Sequence, residues 1–328
     1  MLRTQPFDVH LPTSIPEVLS LLSVHGDQAK ICAGGTDLMP NLKHELHSPQ
    51  VVISLNRIPE LKGIIEEADY IIFGAMTSLD DIATHPLVLK HVPSLADACA
   101  HVAGPQLRRM GTLGGNLCLD TRCLYYNQTY FWREALGFCL KKDGTTCHVT
   151  QTGKRCVAAA SNDTASALLC LDTVVEILKP SGLCIIPLLD FYKADGQKNN
   201  ILDTQGLLVR IRVPKKTLSP LKRLEGFAKL RHRNSIDFPM LSVGIRFDVN
   251  DANEIQKAIL TLNALAARPR TIVADFLKTR VLDQSAITDL AEYAYARTTP
   301  LTNICDDPSW RKEMVRVYVT RACEKAMD

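Results

Sequence analysis

The sequence predicts an α+β chain: two small α/β units with glycine-rich turns, then an antiparallel sheet covered by helices. Three observations carry this. Adjacent glycines occur twice, in Ala33-Gly34-Gly35-Thr36-Asp37-Leu38 and in Thr112-Leu113-Gly114-Gly115-Asn116, each expected where a strand-like run ends. Five cysteines crowd the stretch from Cys118 to Cys156. Long strand-like runs late in the chain precede a series of helical ones.

The elements follow in order. Ser14 and Glu17 read as a capping box opening a helix that stops near Gly26. Ala29 to Cys32 is a strand that delivers the first glycine turn, and Val51 to Leu55 is another, so residues 1–58 form one unit. Residues 59–220 form a second. There Tyr70 to Ala75 reads as strand, Ser78 opens a helix, and Pro93 to Val102 is a further helix before the second turn. Thr164 to Leu171 is then expected as helix, with strands at Val174 to Leu178 and Leu207 to Pro214. The basic, proline-bearing stretch Lys215 to Leu224 reads as a linker to a third unit, 221–328. That unit has strands at Gly226 to Leu230, Leu241 to Val249 and Ile255 to Leu262, then helices at Ile272 to Thr279, Ile287 to Ala296 and Trp310 to Ala326.

The 328 residues suffice for two or three domains. A 46% apolar, 22% charged composition is that of an ordinary globular protein. A net charge of +3 gives no strong attraction to nucleic acid or membrane. No apolar run approaches the roughly 18 residues of a membrane span, and the N-terminal residues lack an apolar signal core. A cytoplasmic protein is expected.

Glycine lets the backbone bend with its N–H groups aimed at an anion. Two such turns are suited to closing on one diphosphate. Neither matches G-x-G-x-x-G or G-x-x-x-x-G-K-[ST], so neither a nicotinamide dehydrogenase nor a P-loop ATPase is supported.

Eleven cysteines, an odd count, argue against a disulfide framework. Cys32, Cys99, Cys170 and Cys184 lie in apolar runs and read as small hydrophobes, as do Cys305 and Cys323. Cys123, Cys139, Cys147 and Cys156 are spaced C-x15-C-x7-C-x8-C within an insert, 120–157, of little periodicity. Loops of that length need a reason, and metal supplies one. With no C-x2-C pair, four thiolates suit either a 4Fe–4S cluster or zinc, and His148 allows a mixed zinc site. Free cysteines in an irregular loop are the plain alternative. Cys118 reads as a packing residue.

Ala33-Gly34-Gly35-Thr36-Asp37-Leu38, with Gly104-Pro105-Gln106-Leu107-Arg108-Arg109 and Thr112-Leu113-Gly114-Gly115-Asn116-Leu117, resembles the two flavin signatures of the FAD-binding medium subunits of the xanthine oxidase, or molybdenum hydroxylase, family. Asn162-Asp163 through Leu171-Asp172 resembles a third segment, with Asn162 and Ser166 in place of the family's glycine and proline, and Phe227-Ala228-Lys229 a fourth. The run from Asn116 through Cys123 to Cys156 is similar to the 4-hydroxybenzoyl-CoA reductase branch of that family.

The resemblance implies a two-subdomain FAD-binding domain of the vanillyl-alcohol-oxidase/PCMH type and a C-terminal α+β domain. It implies FAD and one 4Fe–4S cluster on Cys123, Cys139, Cys147 and Cys156. The diphosphate would lie on the N–H groups of Gly34, Gly35, Thr36 and Asp37, beside Ala33, with Thr112, Gly114 and Gly115 closing over it and Asn116 bonding ribityl or phosphate. Val102 and Leu113 would pack near the cofactor, Asp163 would accept hydrogen bonds from it, and Lys229 would approach its ring. Asp163 as a helix cap and Lys229 as a solvated strand lysine are the plainer readings.

The implied function is electron transfer within a reductase acting on 4-hydroxybenzoyl-CoA, with substrate chemistry in a partner. The implied partners are a large molybdopterin subunit and a small 2Fe–2S subunit, in a dimer of heterotrimers served by a ferredoxin-type carrier. The alternatives are the FAD subunit of another molybdenum hydroxylase, a stand-alone FAD oxidase, and a non-enzymatic protein with a structural zinc loop.

Overall fold

A computed structural model describes residues 2–216 and 220–328. The middle of the expected linker, 217–219, lies outside the described residues. The chain opens with β1 (Asp8–His10), α1 (Ile15–His25), β2 (Ala29–Cys32), α2 (Leu38–Lys43) and β3 (Val51–Ser54). Ser14 caps α1 by accepting from the Glu17 N–H, while the Glu17 carboxylate accepts from Thr13 N–H at 2.8 Å. The three strands form a parallel sheet in the order β1-β3-β2.

Next come β4 (Ile64–Glu66), β5 (Tyr70–Gly74), α3 (Leu79–Thr84), α4 (Pro86–His91), α5 (Pro93–Ala100), α6 (Pro105–Met110) and α7 (Leu113–Leu117). The cysteine insert contains α8 (Tyr130–Ala135). After it stand α9 (Asp163–Leu169), β6 (Val174–Lys179), β7 (Gly182–Pro187), α10 (Leu188–Phe191) and β8 (Leu207–Pro214). An antiparallel sheet results, ordered β4-β5-β8-β6-β7. Its core joins Ile71, Phe73, Leu113, Leu168 and Val175.

The last part holds β9 (Lys222–Leu230), β10 (Leu241–Val249), β11 (Ile255–Asn263), β12 (Arg270–Val273), α11 (Gln284–Ala296) and α12 (Pro308–Met327). The antiparallel order is β12-β11-β10-β9. Side chains alternate across this sheet. Ala228, Val243, Ile245 and Phe247 face α11 and α12 in the largest core cluster. Gly226 sits beneath α12, where a Cβ would collide with the Ala322 carbonyl. On the other face Gly244 receives α9, since a Cβ there would strike the Ser166 carbonyl. That second face is polar yet buried: Arg223, Glu225, Lys229, Ser242, Arg246 and Asp248 all lie in it.

Three expectations are corrected. The helix expected over 272–279 is the edge strand β12 followed by one 3-10 turn, Asp275–Leu277. Its β-branched Thr271, Ile272 and Val273 pair with β11, which outweighs local helical spacing. The second glycine turn follows α6, not a strand, and becomes the helical turn α7 because the Thr112 hydroxyl caps it by accepting from Gly115 N–H. Cys184 and Cys305 are exposed and Cys32 is half-buried, whereas Cys99, Cys170 and Cys323 are buried as read. Cys184 is exposed because it lies on β7, an edge of its sheet.

Candidate functional site

β2 ends at Cys32 and releases the chain into the first glycine turn, where Gly35 takes φ +71°, a conformation that favours glycine. Among the described residues, no acceptor takes a hydrogen bond from the N–H groups of Gly34, Gly35, Thr36 or Asp37. Four consecutive unspent donors on a half-exposed turn are the donor set that an anion-binding concavity uses.

The second segment lies against this turn. A Cβ on Gly34 would strike the Met110 carbonyl, and one on Gly115 would lie 3.5 Å from Ala33 Cβ. At Gly34 only glycine permits this approach, whereas the Gly115–Ala33 spacing is ordinary contact. The N–H groups of the second segment are already used, however. Leu113 donates to Thr77 at 3.0 Å, Gly114 to Ala75 at 2.8 Å, and Gly115 to the Thr112 hydroxyl at 3.1 Å. Thr112, Gly114 and Gly115 therefore shape the wall, and the unspent donors belong to the first turn. Leu113 is fully buried in the core, with Val102 packed half-buried against the same cluster.

Asn116 accepts from the Thr164 hydroxyl at 2.6 Å and from Thr164 N–H at 3.2 Å, tying the second segment to α9. The next groups are Asp163 and Lys229. Lys229 donates to Asp163 at 2.6 Å and to the His101 carbonyl at 3.1 Å, with both side chains buried. Asp163 thus opens α9 as an ion-pair partner, not as its cap, and Lys229 is not solvated. Burial raises the Asp163 carboxyl above its ordinary value, although the Lys229 ammonium pulls the other way. Its second oxygen, Oδ1, is buried without a partner. At the two departures from the family pattern, Ser166 bonds the Asp163 carbonyl at 2.7 Å, and Asn162 bonds Tyr192 at 2.7 Å and Asn263.

The cysteine insert packs beside the first turn. Arg122 donates to Asp37 at 2.7 Å, and its guanidinium lies 4.1 Å from the Phe238 ring centroid. Burial raises the Asp37 carboxyl, while Arg122 and Asn41 lower it. Cys123, Cys139, Cys147 and Cys156, some 33 residues apart in sequence from first to last, line one cavity with Tyr125, Lys141 and His148. No three of the four sulfurs lie within 4.8 Å of one another. Four thiolates around one zinc, with Zn–S about 2.3 Å, would stand only about 3.8 Å apart.

Burial pushes the Cys123 thiol up to about 11 and also raises Cys156, where Lys141 and the Ala158 N–H oppose it. Cys147 differs. Burial raises it, but the Thr150 hydroxyl and the N–H groups of Thr150, Val149 and Val157 outweigh burial and hold it below an ordinary thiol. Cys118 stands apart, its thiol pushed up to about 12 by desolvation, although the residue is half-buried. His148 Nε2 pairs with the Phe138 carbonyl at 2.6 Å, so that nitrogen is already committed.

Lys141 is legible in the sequence as one of the positive charges among the cysteines, whereas Gly196, Arg133 and Asn303 carry no sequence signal of their own. Lys141 is buried beneath the cavity, bonded to Asp120 at 2.7 Å, to the Gly196 carbonyl at 2.8 Å and to the Thr121 hydroxyl. Gly196 abuts the cluster of thiols, where a Cβ would lie 2.7 Å from Cys156 Sγ. Arg133 on α8 donates to the His44 and Glu45 carbonyls after α2. Asn303, fully buried on the α11–α12 loop, donates to Val157 O at 2.6 Å and accepts from Leu124 N–H at 2.8 Å. It thereby holds the residues that follow Cys156 and Cys123. A long-range clamp of this kind leaves no local pattern; only the glycines, the cysteine spacing and Lys141 were readable.

Residues 5–216 match the family described as FAD binding domain in molybdopterin dehydrogenase. The chain belongs to that family. It is therefore an FAD-binding oxidoreductase subunit of the molybdenum hydroxylase type, with the PCMH-type fold expected. The carbon monoxide dehydrogenase medium chain of Hydrogenophaga pseudoflava is 42% identical over 111 residues, an alignment spanning 34% of this chain and 39% of that one. The carbon monoxide dehydrogenase medium chain of Afipia carboxidovorans is 25% identical across 98% of this chain and 96% of its own length. A solved carbon monoxide dehydrogenase of Hydrogenophaga pseudoflava, lacking the Mo-pyranopterin moiety of its cofactor, shares the fold: TM-score 0.78, 24% identity, with 99% of this chain and 98% of that chain covered. In this family member the four unspent N–H groups of the first turn fit a diphosphate. No helix among the described residues is long and apolar enough to cross a membrane.

Proposed function

We propose that this FAD subunit also carries a 4Fe–4S cluster on Cys123, Cys139, Cys147 and Cys156, and that it passes electrons in a 4-hydroxybenzoyl-CoA reductase. The observation that carries the cluster is the convergence of these four thiols on one cavity. The N–H groups around Cys147 favour a thiolate there, and Lys141 beside Cys156 partly offsets the burial that raises that thiol. A non-enzymatic protein with a zinc loop does not account for the FAD family.

In this reading Gly34, Gly35, Thr36 and Asp37 hold the FAD diphosphate, and Ala33, Thr112, Gly114 and Gly115 form the close wall. Asn116 and the Asp163–Lys229 pair hold the floor, with Val102 and Leu113 packed behind. Bound FAD and cluster supply one- and two-electron transfer. The chain's own work is to hold both groups at fixed separation. Arg122 does so directly, joining the first residues of the insert to Asp37 in the turn.

Relatives named as medium chains imply partners. We take these to be a large molybdopterin subunit, which performs the substrate chemistry, and a small 2Fe–2S subunit, assembled as a dimer of heterotrimers. A low-potential ferredoxin-type carrier would deliver electrons at the insert for reductive dehydroxylation of the aromatic thioester to benzoyl-CoA. The test is anaerobic purification of the complex with iron, sulfide and flavin analysis, followed by viologen-driven turnover. Four irons per chain of this subunit, lost in Cys139→Ser along with turnover while FAD remains, is the expected result. Zinc without iron, or turnover unaffected by Cys139→Ser, would sink the reading.

A further inference from the structure

A second constellation of ligand atoms lies outside both proposed cofactor sites. Two loops meet there: the one between β9 and β10, carrying His232, and the one between α11 and α12, carrying Cys305 and Asp306. His232 Nε2 stands 2.7 Å from Asp306 Oδ2 and 3.9 Å from Cys305 Sγ. All three ligand atoms lie within 4.8 Å of one another, and all three residues are exposed.

Neighbours in sequence normally point apart, as alternate side chains on an extended backbone do. Asp306 takes φ +73°, a left-handed conformation that aspartate tolerates, and this turns its carboxylate to the same side as the Cys305 thiol. The loop is also fixed on both flanks. Asn303 anchors it to the cysteine insert, and Asp307 caps α12 by accepting from Trp310 N–H at 2.9 Å. The buried Arg311 guanidinium donates to the Leu301 carbonyl at 3.0 Å and to Met240 O, at the end of the other loop, at 3.1 Å. The two loops thus face each other on a common support before any ion arrives.

We propose that His232, Cys305 and Asp306 bind a borderline-soft divalent cation, Zn2+ by preference, with water as the fourth ligand, clipping the β9–β10 loop to the α11–α12 loop. One imidazole nitrogen, one thiolate and one carboxylate are a zinc donor set, and bond lengths of about 2.0–2.3 Å place such ligands roughly 3.3–3.8 Å apart. The Cys305–His232 separation is already near that span, and the His232–Asp306 pair needs to open by about half an ångström. Binding releases the thiol proton, and the imidazole proton if present, to solvent. The clipped β9–β10 loop bears Phe238, which stacks on Arg122, the partner of Asp37. Because none of the three ligands belongs to the flavin turn or the cysteine cavity, this site and the cofactor reading fail separately.

The full chain, with flavin and iron left in place, is titrated with Zn2+ against a chromophoric chelator. Wild type is expected to take up one more zinc per chain than Cys305→Ser or His232→Ala, with Asp306→Asn weakened roughly tenfold or more. Zinc is also expected to shield Cys305 from iodoacetamide in wild type, read by mass spectrometry, and not in His232→Ala. The three side chains are exposed, so the variants should keep wild-type flavin content and circular dichroism. Equal zinc uptake by wild type and both variants overturns the proposal. So does alkylation of Cys305 that zinc leaves unchanged in wild type.

Discussion

Arg122, at the start of the cysteine insert, donates a 2.7 Å hydrogen bond to Asp37 in the first glycine turn. The two residues are 85 apart in sequence, and the pair is half-buried. It is a direct noncovalent link between the proposed iron–sulfur and flavin sites. Arg122→Leu should therefore loosen both. A charged hydrogen bond of this kind contributes about 1.5–3 kcal/mol, so FAD should be released more readily and the denaturation midpoint should fall. Arg122→Lys keeps the charge without the planar stack on Phe238 and should recover only part. Flavin fluorescence on dilution, compared among the three proteins, checks this.

Gly34→Val should yield flavin-poor protein. Its Cβ would occupy the space of the Met110 carbonyl, forcing the two segments apart and disturbing the unspent N–H groups. Gly114→Val acts differently, since its Cβ meets Ala75 Cβ at 2.7 Å. That variant should lose stability, by about 1–3 kcal/mol for overpacking, in step with its flavin. Absorbance ratios and urea midpoints separate the two patterns. Full flavin occupancy in both would refute the role of the turns.

Changing Cys123, Cys139, Cys147 or Cys156 to Ser should each abolish iron binding, whereas Cys118→Ser, Cys170→Ser and Cys184→Ser should leave iron at the wild-type level. Cys118, Cys170 and Cys184 do not line the cavity that the other four share. Asn303→Ala should retain the four thiols but free Val157 from its anchor, while the Leu124 N–H keeps its bond to the backbone carbonyl at 303. Its cluster should be lost faster under air and its electron paramagnetic resonance signal broadened, with Asn303→Asp restoring little because Val157 O needs a donor.

Lys229→Met should be among the most damaging single changes, costing about 3–5 kcal/mol, because it leaves Asp163 buried without its counter-charge. The double variant Asp163→Asn/Lys229→Met should recover much of that loss. The pH dependence has a definite sign. Burial raises the Asp163 carboxyl in the folded chain above its ordinary value near 4. The native state then holds this proton to higher pH than the unfolded chain does. This group's contribution to stability is complete below about pH 4 and declines as pH rises through the raised value. Without Lys229 the carboxyl should rise further and the decline should extend to higher pH. Urea midpoints measured from pH 4 to 8 test it.

The strand and helix pattern was legible wherever local chemistry and tertiary environment agree. Ser14, Ser78 and the apolar runs at 29–32, 207–214 and 241–249 placed their elements because caps and alternation act over a few residues. The edge strand β12 was misread as helix because only its partner β11 decides its state. The short strands β1, β4 and β7 were missed for the same reason.

By itself, the sequence determined the two glycine segments, the four-cysteine spacing and the order of units, since each is a matter of residue type and distance along the chain. Tertiary structure alone decided which N–H groups are left unspent. The first turn keeps its donors, while the second spends them on Thr77, Ala75 and Thr112. It also decided that Lys229 lies buried against Asp163 and that Asn303 and Arg122 hold the insert in place. The physical reason is common to all of these. A hydrogen bond or ion pair between residues tens or hundreds of positions apart is set by how the sheets stack, and nothing in the local sequence of either partner encodes the other.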